Sequence, residues 1–186
     1  MASPQTLQVG PPSFVVRTLI AAPVARVMAA FCSHVDLARW WQAERSVVVA
    51  RPSGVFAVTW PASIAASRVG GATLESGNDP RPLGGTLHGT VIDCTPDRAL
   101  FVADAYWQPT AGEPLGPMAL EIMCQPDADP GRTRVTVRQS ASEDGPRWHR
   151  YFALSEQGWS AAMVTLKDYL ESEWPNRVRP LDPTPP

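Results

Sequence analysis

The strongest constraint on this chain lies in one long apolar stripe near its C-terminus. Trp148, Phe152, Ser155, Trp159, Met163, Leu166 and Leu170 recur at steps of three and four residues, after an Asp144-Gly-Pro146 turn and before Pro175. That spacing predicts a single helix with one buried side. At 1.5 Å per residue the stripe runs about 33 Å, and a helix cannot cover such a stripe by itself. It needs an apolar surface of matching length, and the preceding residues read mostly as strands. A helix laid on a sheet is the layered solution that buries both.

The strands are read from alternation and β-branched content. SFVVRTLIAA (13–22) predicts a first strand. Pro23 then opens a helix over VARVMAAFC, with Val24, Val27, Met28 and Phe31 on one side. Ser33 predicts the N-cap of a second short helix that runs through Trp41. RSVVVA and GVFAVTWPA follow as strands joined by the Arg51–Gly54 turn, then TLHGTVIDCT, ALFVADAYWQP and GPMALEIMCQP. In GRTRVTVRQSA the outward set is Arg132, Arg134, Thr136 and Arg138, and the inward set is Thr133, Val135, Val137 and Gln139. One wet face and one buried face mark an antiparallel sheet. The expected fold is α+β: a curved antiparallel sheet wrapped around a long C-terminal helix, with two short helices after the first strand.

A single domain over residues 13–174 is expected, flanked by a flexible tail at 1–12 and a Pro-rich tail at 175–186. Within it, residues 63–84 form a polar, Gly- and Pro-rich loop that is long for a connection inside a compact domain.

Several function classes are disfavoured. A net charge of −2 and scattered arginines argue against a nucleic-acid binder, which needs a basic stripe. No run of residues is apolar and long enough for a membrane span, and the N-terminus lacks a secretory signal, so a cytoplasmic location is expected. Cys32, Cys94 and Cys124 read as structural thiols. No CxxC or HxxxH pair seeds a zinc site, and neither metal nor cofactor is expected. There is no G-x-S-x-G, phosphate loop or Cys–His–acid arrangement.

The element order and several stretches resemble the START-like, SRPBCC helix-grip superfamily. The branch is that of the activator of the heat-shock-protein-90 ATPase. The stretches are APVARVMAAF…DLARWW, GGTLHGTVIDCTPDRALFVA, GRTRVTVRQS and GWSAAMVTLKDYL, spanning roughly residues 13 to 174. The resemblance implies an apolar cavity between sheet and long helix. It implies no single chemistry, because the fold hosts binders, enzymes and chaperone co-factors.

Residues expected at that cavity are Trp41, Trp60, His88, Asp104, Trp107, Met118, Trp159 and Met163. Large rings serve stability wherever they are buried, so a core role competes with a binding role for each tryptophan. Methionine adapts to varied apolar shapes, which suits a binding wall. In the pair Trp40–Trp41, the four-residue step from Leu37 predicts Trp41 as the core anchor, with Trp40 facing the cavity mouth or the long loop. His88, in phase with Thr86 and Thr90, could serve as acid or base if it faces inward. Asp104 carries the same ambiguity, in phase with Tyr106. The leading expectation is binding of a small apolar or aromatic molecule without catalysis. The alternatives are a protein-interaction module with a protein partner, and a cyclase- or hydrolase-type enzyme using His88 or Asp104.

Overall fold

The computed structural model describes residues 10–61, 84–129 and 131–173. The expected tails at 1–12 and 175–186 and the 63–84 loop fall almost wholly outside the described residues. The chain order is β1 (Ser13–Ile20), α1 (Val24–Cys32), α2 (His34–Trp40), β2 (Arg45–Val48), β3 (Gly54–Trp60), β4 (Gly85–Thr95), β5 (Ala99–Pro109), β6 (Leu115–Pro126), β7 (Thr133–Ala141) and α3 (Pro146–Glu173).

Strands β2 to β7 run as a meander, and β1 returns to pair with β7, giving the order β1-β7-β6-β5-β4-β3-β2. Every pairing is antiparallel. The two short helices carry the chain from one edge of the sheet to the other. At about 4.8 Å per strand the seven-stranded sheet is about 29 Å wide, and α3 at 1.5 Å per residue is about 42 Å long. The helix is therefore longer than the sheet is wide, and its buried stripe lies against an open, curved sheet whose edges are β1 and β2.

The alternation in β7 places Thr133, Val135, Val137 and Gln139 at 0% exposure. All seven residues of the α3 stripe are buried as well. Gly158, beside the stripe on α3, is exposed, and a Cβ there would meet nothing within 4 Å. Its helix cost of roughly 1 kcal/mol against alanine is therefore not offset by close packing. One serine links the two short helices. Ser33 N–H donates to Ala29 O at 2.9 Å to close α1, and its Oγ accepts from Asp36 N–H at 3.3 Å to open α2.

An ionic clamp fastens the C-terminal end of α3 to this helix pair. Arg26 donates to both oxygens of Asp36, at 2.9 and 3.1 Å, and to Glu173 Oε2 at 2.8 Å. The Tyr169 hydroxyl donates to Asp36 Oδ1, and its ring lies 5.5 Å from the Arg26 guanidinium carbon. Burial by itself would raise the Asp36 carboxyl pKa. The hydrogen bonds from Arg26 and Tyr169, together with the Arg26 charge, outweigh burial and hold it below its ordinary value. A carboxylate whose pKa is lowered on folding stabilises the fold fully above its unfolded pKa of about 3.9. That contribution disappears as pH falls through the lowered folded value. Asp36→Asn is expected to cost about 1–2 kcal/mol at neutral pH, with the penalty shrinking in acid. Urea melts of both proteins at neutral and acid pH check this, and a penalty independent of pH would contradict it.

Candidate functional site

The aromatic side chains form one connected path through the sheet–helix interface. Phe31 meets Trp40 edge-on at 5.3 Å, and Trp40 stacks on Trp41 at 5.0 Å with the planes 5° apart. Trp41 then touches Trp60 at 4.7 Å and Trp159 at 4.5 Å. Trp60 leads to Trp107 at 6.0 Å, and Trp107 to Tyr151 at 6.1 Å. Tyr151 packs on Phe152, which contacts both Phe14 and Trp148. Four elements distant in sequence supply the centre of this path: the end of α2, the end of β3, the last part of β5 and the face of α3.

Geometry reverses the assignment within the tryptophan pair. Trp40 is the core anchor at 1% exposure, with its indole N–H on Ala30 O at 2.9 Å, while Trp41 is only half-buried. Leu37 can share a helix face with the residue three on as well as with the residue four on, and the fold uses the first, since Leu37 and Trp40 are the buried residues of α2. Trp41 is the C-cap, with φ −104° and ψ 0°, and the next residue, Gln42, turns into positive φ at 56°. Trp41 faces the site, and its carbonyl accepts the Trp60 indole N–H at 2.9 Å.

A buried polar cluster borders the rings. Gln139 on β7 donates from Nε2 to Met118 Sδ and to the Tyr151 hydroxyl, and its Oε1 accepts from Ser155 Oγ at 3.3 Å. Gln139, Tyr151 and Ser155 are exposed by 0%, 1% and 9%, so these bonds are made away from water. Burial pushes the Tyr151 hydroxyl pKa upward, and its oxygen accepts from Gln139 Nε2. Among the indoles, Trp40 and Trp60 donate to backbone carbonyls, but Trp107 Nε1 is buried without an acceptor among the described residues.

The structure thus brings Trp41, Trp60, Trp107 and Trp159 together. Met118 joins them through Gln139, and Met163 lies one turn along α3 from Trp159, buried at 2%. It does not bring His88 or Asp104 to this place. His88 is exposed and stacks on Tyr106 at 6.0 Å on the outer face of the sheet. Asp104 is exposed too, at φ 48°, in an irregularity where β5 and β6 shift register between Val102 and Ala105. Both lie on the wet side of the sheet, and the register shifts beside them interrupt the strict alternation that the sequence reading relied on. An acid–base pair built from these two therefore has no shared pocket with the rings. Tyr151 and Gln139 are the members that sequence reasoning passed over. A glutamine in the inward phase of β7 was the available signal, because a buried amide needs partners.

The cysteines take no part in the cluster. All are free thiols, and burial raises Cys32 to about 11 and Cys124 to about 12, with Cys94 also raised. Thiols held protonated in this way are poor nucleophiles. Among the described residues, no group of three His, Cys, Asp or Glu side chains is placed to hold a metal ion. Nor is any described helix long and apolar enough to cross a membrane.

Comparison with solved structures shows the same fold in several bacterial proteins. A Mesorhizobium loti protein matches with TM-score 0.60 and 16% identity, over 87% of this chain and 98% of its own. A Mycobacterium smegmatis protein matches with TM-score 0.62 and 13% identity, over 87% and 92%. The solution structure of the Aha1 dimer from Colwellia psychrerythraea matches with TM-score 0.57 and 16% identity, over 86% and 96%. No curated protein sequence gives a significant match. The family model for activator of Hsp90 ATPase homolog 1-like protein matches residues 21–171, from the end of β1 almost to the end of α3. The helix-grip fold and that match over most of the chain make this protein a member of the activator of Hsp90 ATPase homolog 1-like family.

Proposed function

We propose that this protein binds a small aromatic or acyl molecule between the sheet and α3, without catalysing its conversion. One observation carries this reading: half-exposed Trp41 and Trp60 lead inward to buried Trp107 and Trp159, beside the Gln139–Tyr151–Ser155 cluster. Apolar walls with a few convergent polar groups are what small-molecule sites are made of. Met118 and Met163 supply walls that can repack around a guest, and the two outer tryptophans offer an entry that opens by ring rotation.

Thermal-shift screening against aromatic and acyl compounds tests this. Ligand at a hundredfold its Kd adds about 2.7 kcal/mol, worth several degrees of Tm for a domain of this size. A true ligand should also change tryptophan emission. If no compound in either class raises Tm or perturbs the tryptophans, the reading fails.

A second reading, a protein-interaction module, is favoured by a different feature. Val47, Val55 and Ile92 are 56%, 50% and 47% exposed on the outer face of β2, β3 and β4, away from the rings. The family description names an activator of the Hsp90 ATPase. On this reading a purified Hsp90-type ATPase should co-elute with the chain, and Val47→Asp should abolish co-elution without affecting small-molecule binding.

A further inference from the structure

Trp107 differs from its neighbours in one respect with chemical consequences. It is 3% exposed, and its Nε1 is buried with no acceptor among the described residues. Leaving a buried donor unpaired is unfavourable enough that folded proteins generally avoid it. Two other indoles of the ring path follow the rule, since Trp40 donates to Ala30 O and Trp60 to Trp41 O, both at 2.9 Å.

The nearby polar groups are already engaged with one another. Gln139 spends its amide N–H on Met118 and Tyr151, and its carbonyl oxygen accepts from Ser155. The indole cannot easily turn to seek another acceptor either. Its benzo edge lies against Gly85, where a Cβ would stand 3.0 Å from Trp107 Cζ2 and 2.3 Å from Gln108 O. Gly85, at φ 140°, is thus a position where only a missing side chain lets the ring lie as it does. On the other side Trp107 faces Trp60, which borders solvent, at 6.0 Å. A fixed donor in an apolar wall, one ring in from the surface, is the arrangement that orients a guest.

We infer that the Trp107 indole N–H is the polar anchor of the site and donates to a carbonyl or ether oxygen of the bound molecule. The ligand class is then an aromatic or acyl compound carrying a hydrogen-bond acceptor, and plain hydrocarbons bind more weakly. This inference rests on the small-molecule reading above, and adds to it which atom selects the ligand.

Matched probes separate the two ideas. 9-Fluorenone and fluorene differ only in a carbonyl against a methylene, and 1-tetralone and tetralin repeat the comparison at smaller size. The full chain, labelled with nitrogen-15 at tryptophan, is titrated with each while its indole N–H resonances are followed, Trp107 being assigned from Trp107→Phe. The ketones should bind about fivefold or more tighter than their hydrocarbons, the difference one hydrogen bond makes. Only the ketones should move the Trp107 N–H downfield, and Trp107→Phe should bring the affinity ratio close to one. If ketone and hydrocarbon bind alike and the Trp107 N–H stays in place, the anchor is refuted while binding stands. The same holds if that N–H is satisfied by an internal water that no probe displaces. If none of the four probes binds, the anchor and the reading it rests on fall together. Should Trp107→Phe fail to fold, the selective shift in the wild-type protein still decides.

Discussion

Trp40→Ala loses about 3–5 kcal/mol of folding stability, whereas Trp41→Ala loses about half as much or less. Trp40 is the ring fully enclosed, at 1% exposure, and its truncation removes three things at once. Burial of a whole indole is lost, along with the T-shaped contact to Phe31 at 5.3 Å and the N–H bond to Ala30 O at 2.9 Å. Ala30 O then becomes an under-satisfied acceptor beneath α2, which adds to the cavity cost. Trp41 gives up ring contacts to Trp60 and Trp159 but is half-exposed. The bond from Trp60 Nε1 goes to its backbone carbonyl and survives the change. Urea denaturation of the two variants measures both losses. If Trp41→Ala proved the more damaging, the orientation of the pair described above would be wrong.

Gly54→Ala is expected to destabilise by about 3 kcal/mol, far beyond the ordinary cost of one added methyl group. An added Cβ would stand 1.9 Å from Val49 O and 2.7 Å from Arg51 O, both backbone atoms that cannot rotate away. The turn is also knitted on every side. Gly54 N–H donates to Arg51 O, Arg51 N–H to Val49 O, Val49 N–H to Val55 O and Ser53 N–H to Val91 O, each at 2.8 Å. Moving Val49 O therefore breaks the β2–β3 hairpin or its tie to β4. Chemical denaturation gives the magnitude, and amide exchange should show β2 and β3 losing protection before the rest of the sheet. A loss under 1 kcal/mol would mean the turn has another low-energy form. Because β3 also carries Trp60, the substitution should weaken small-molecule binding as well, on the reading proposed above.

How much of this was legible beforehand varies from element to element. The α3 stripe and the inward set of β7 were readable because helical and strand periods are local properties of the chain. Ser33 at the start of α2 was readable because its side chain caps the residue three positions on, and Pro23 at the start of α1 because proline is tolerated only where a helix begins. Residues His88 and Asp104 mark a limit of that method. Alternation says which residues share a face, but not whether a half-polar face is wet or buried. Residues Trp40 and Trp41 mark another, since they stand three and four residues after Leu37 and spacing alone does not choose which of them shares its buried face. Gln139 stood in the inward phase, yet its partners come from β6 and from α3, and nothing local announces them.

The sequence by itself determined the element types, their order, most core positions and the family. Each depends on interactions within a few residues, or on a pattern spread along the chain. Only the tertiary structure decided that β1 pairs with β7 at the sheet's edge, which face holds the tryptophans, and that the Trp107 indole N–H has no acceptor among the described residues. These are relations between residues far apart in the chain. Whether an indole N–H finds an acceptor depends on the groups brought around it by folding, and the residue itself carries no trace of that.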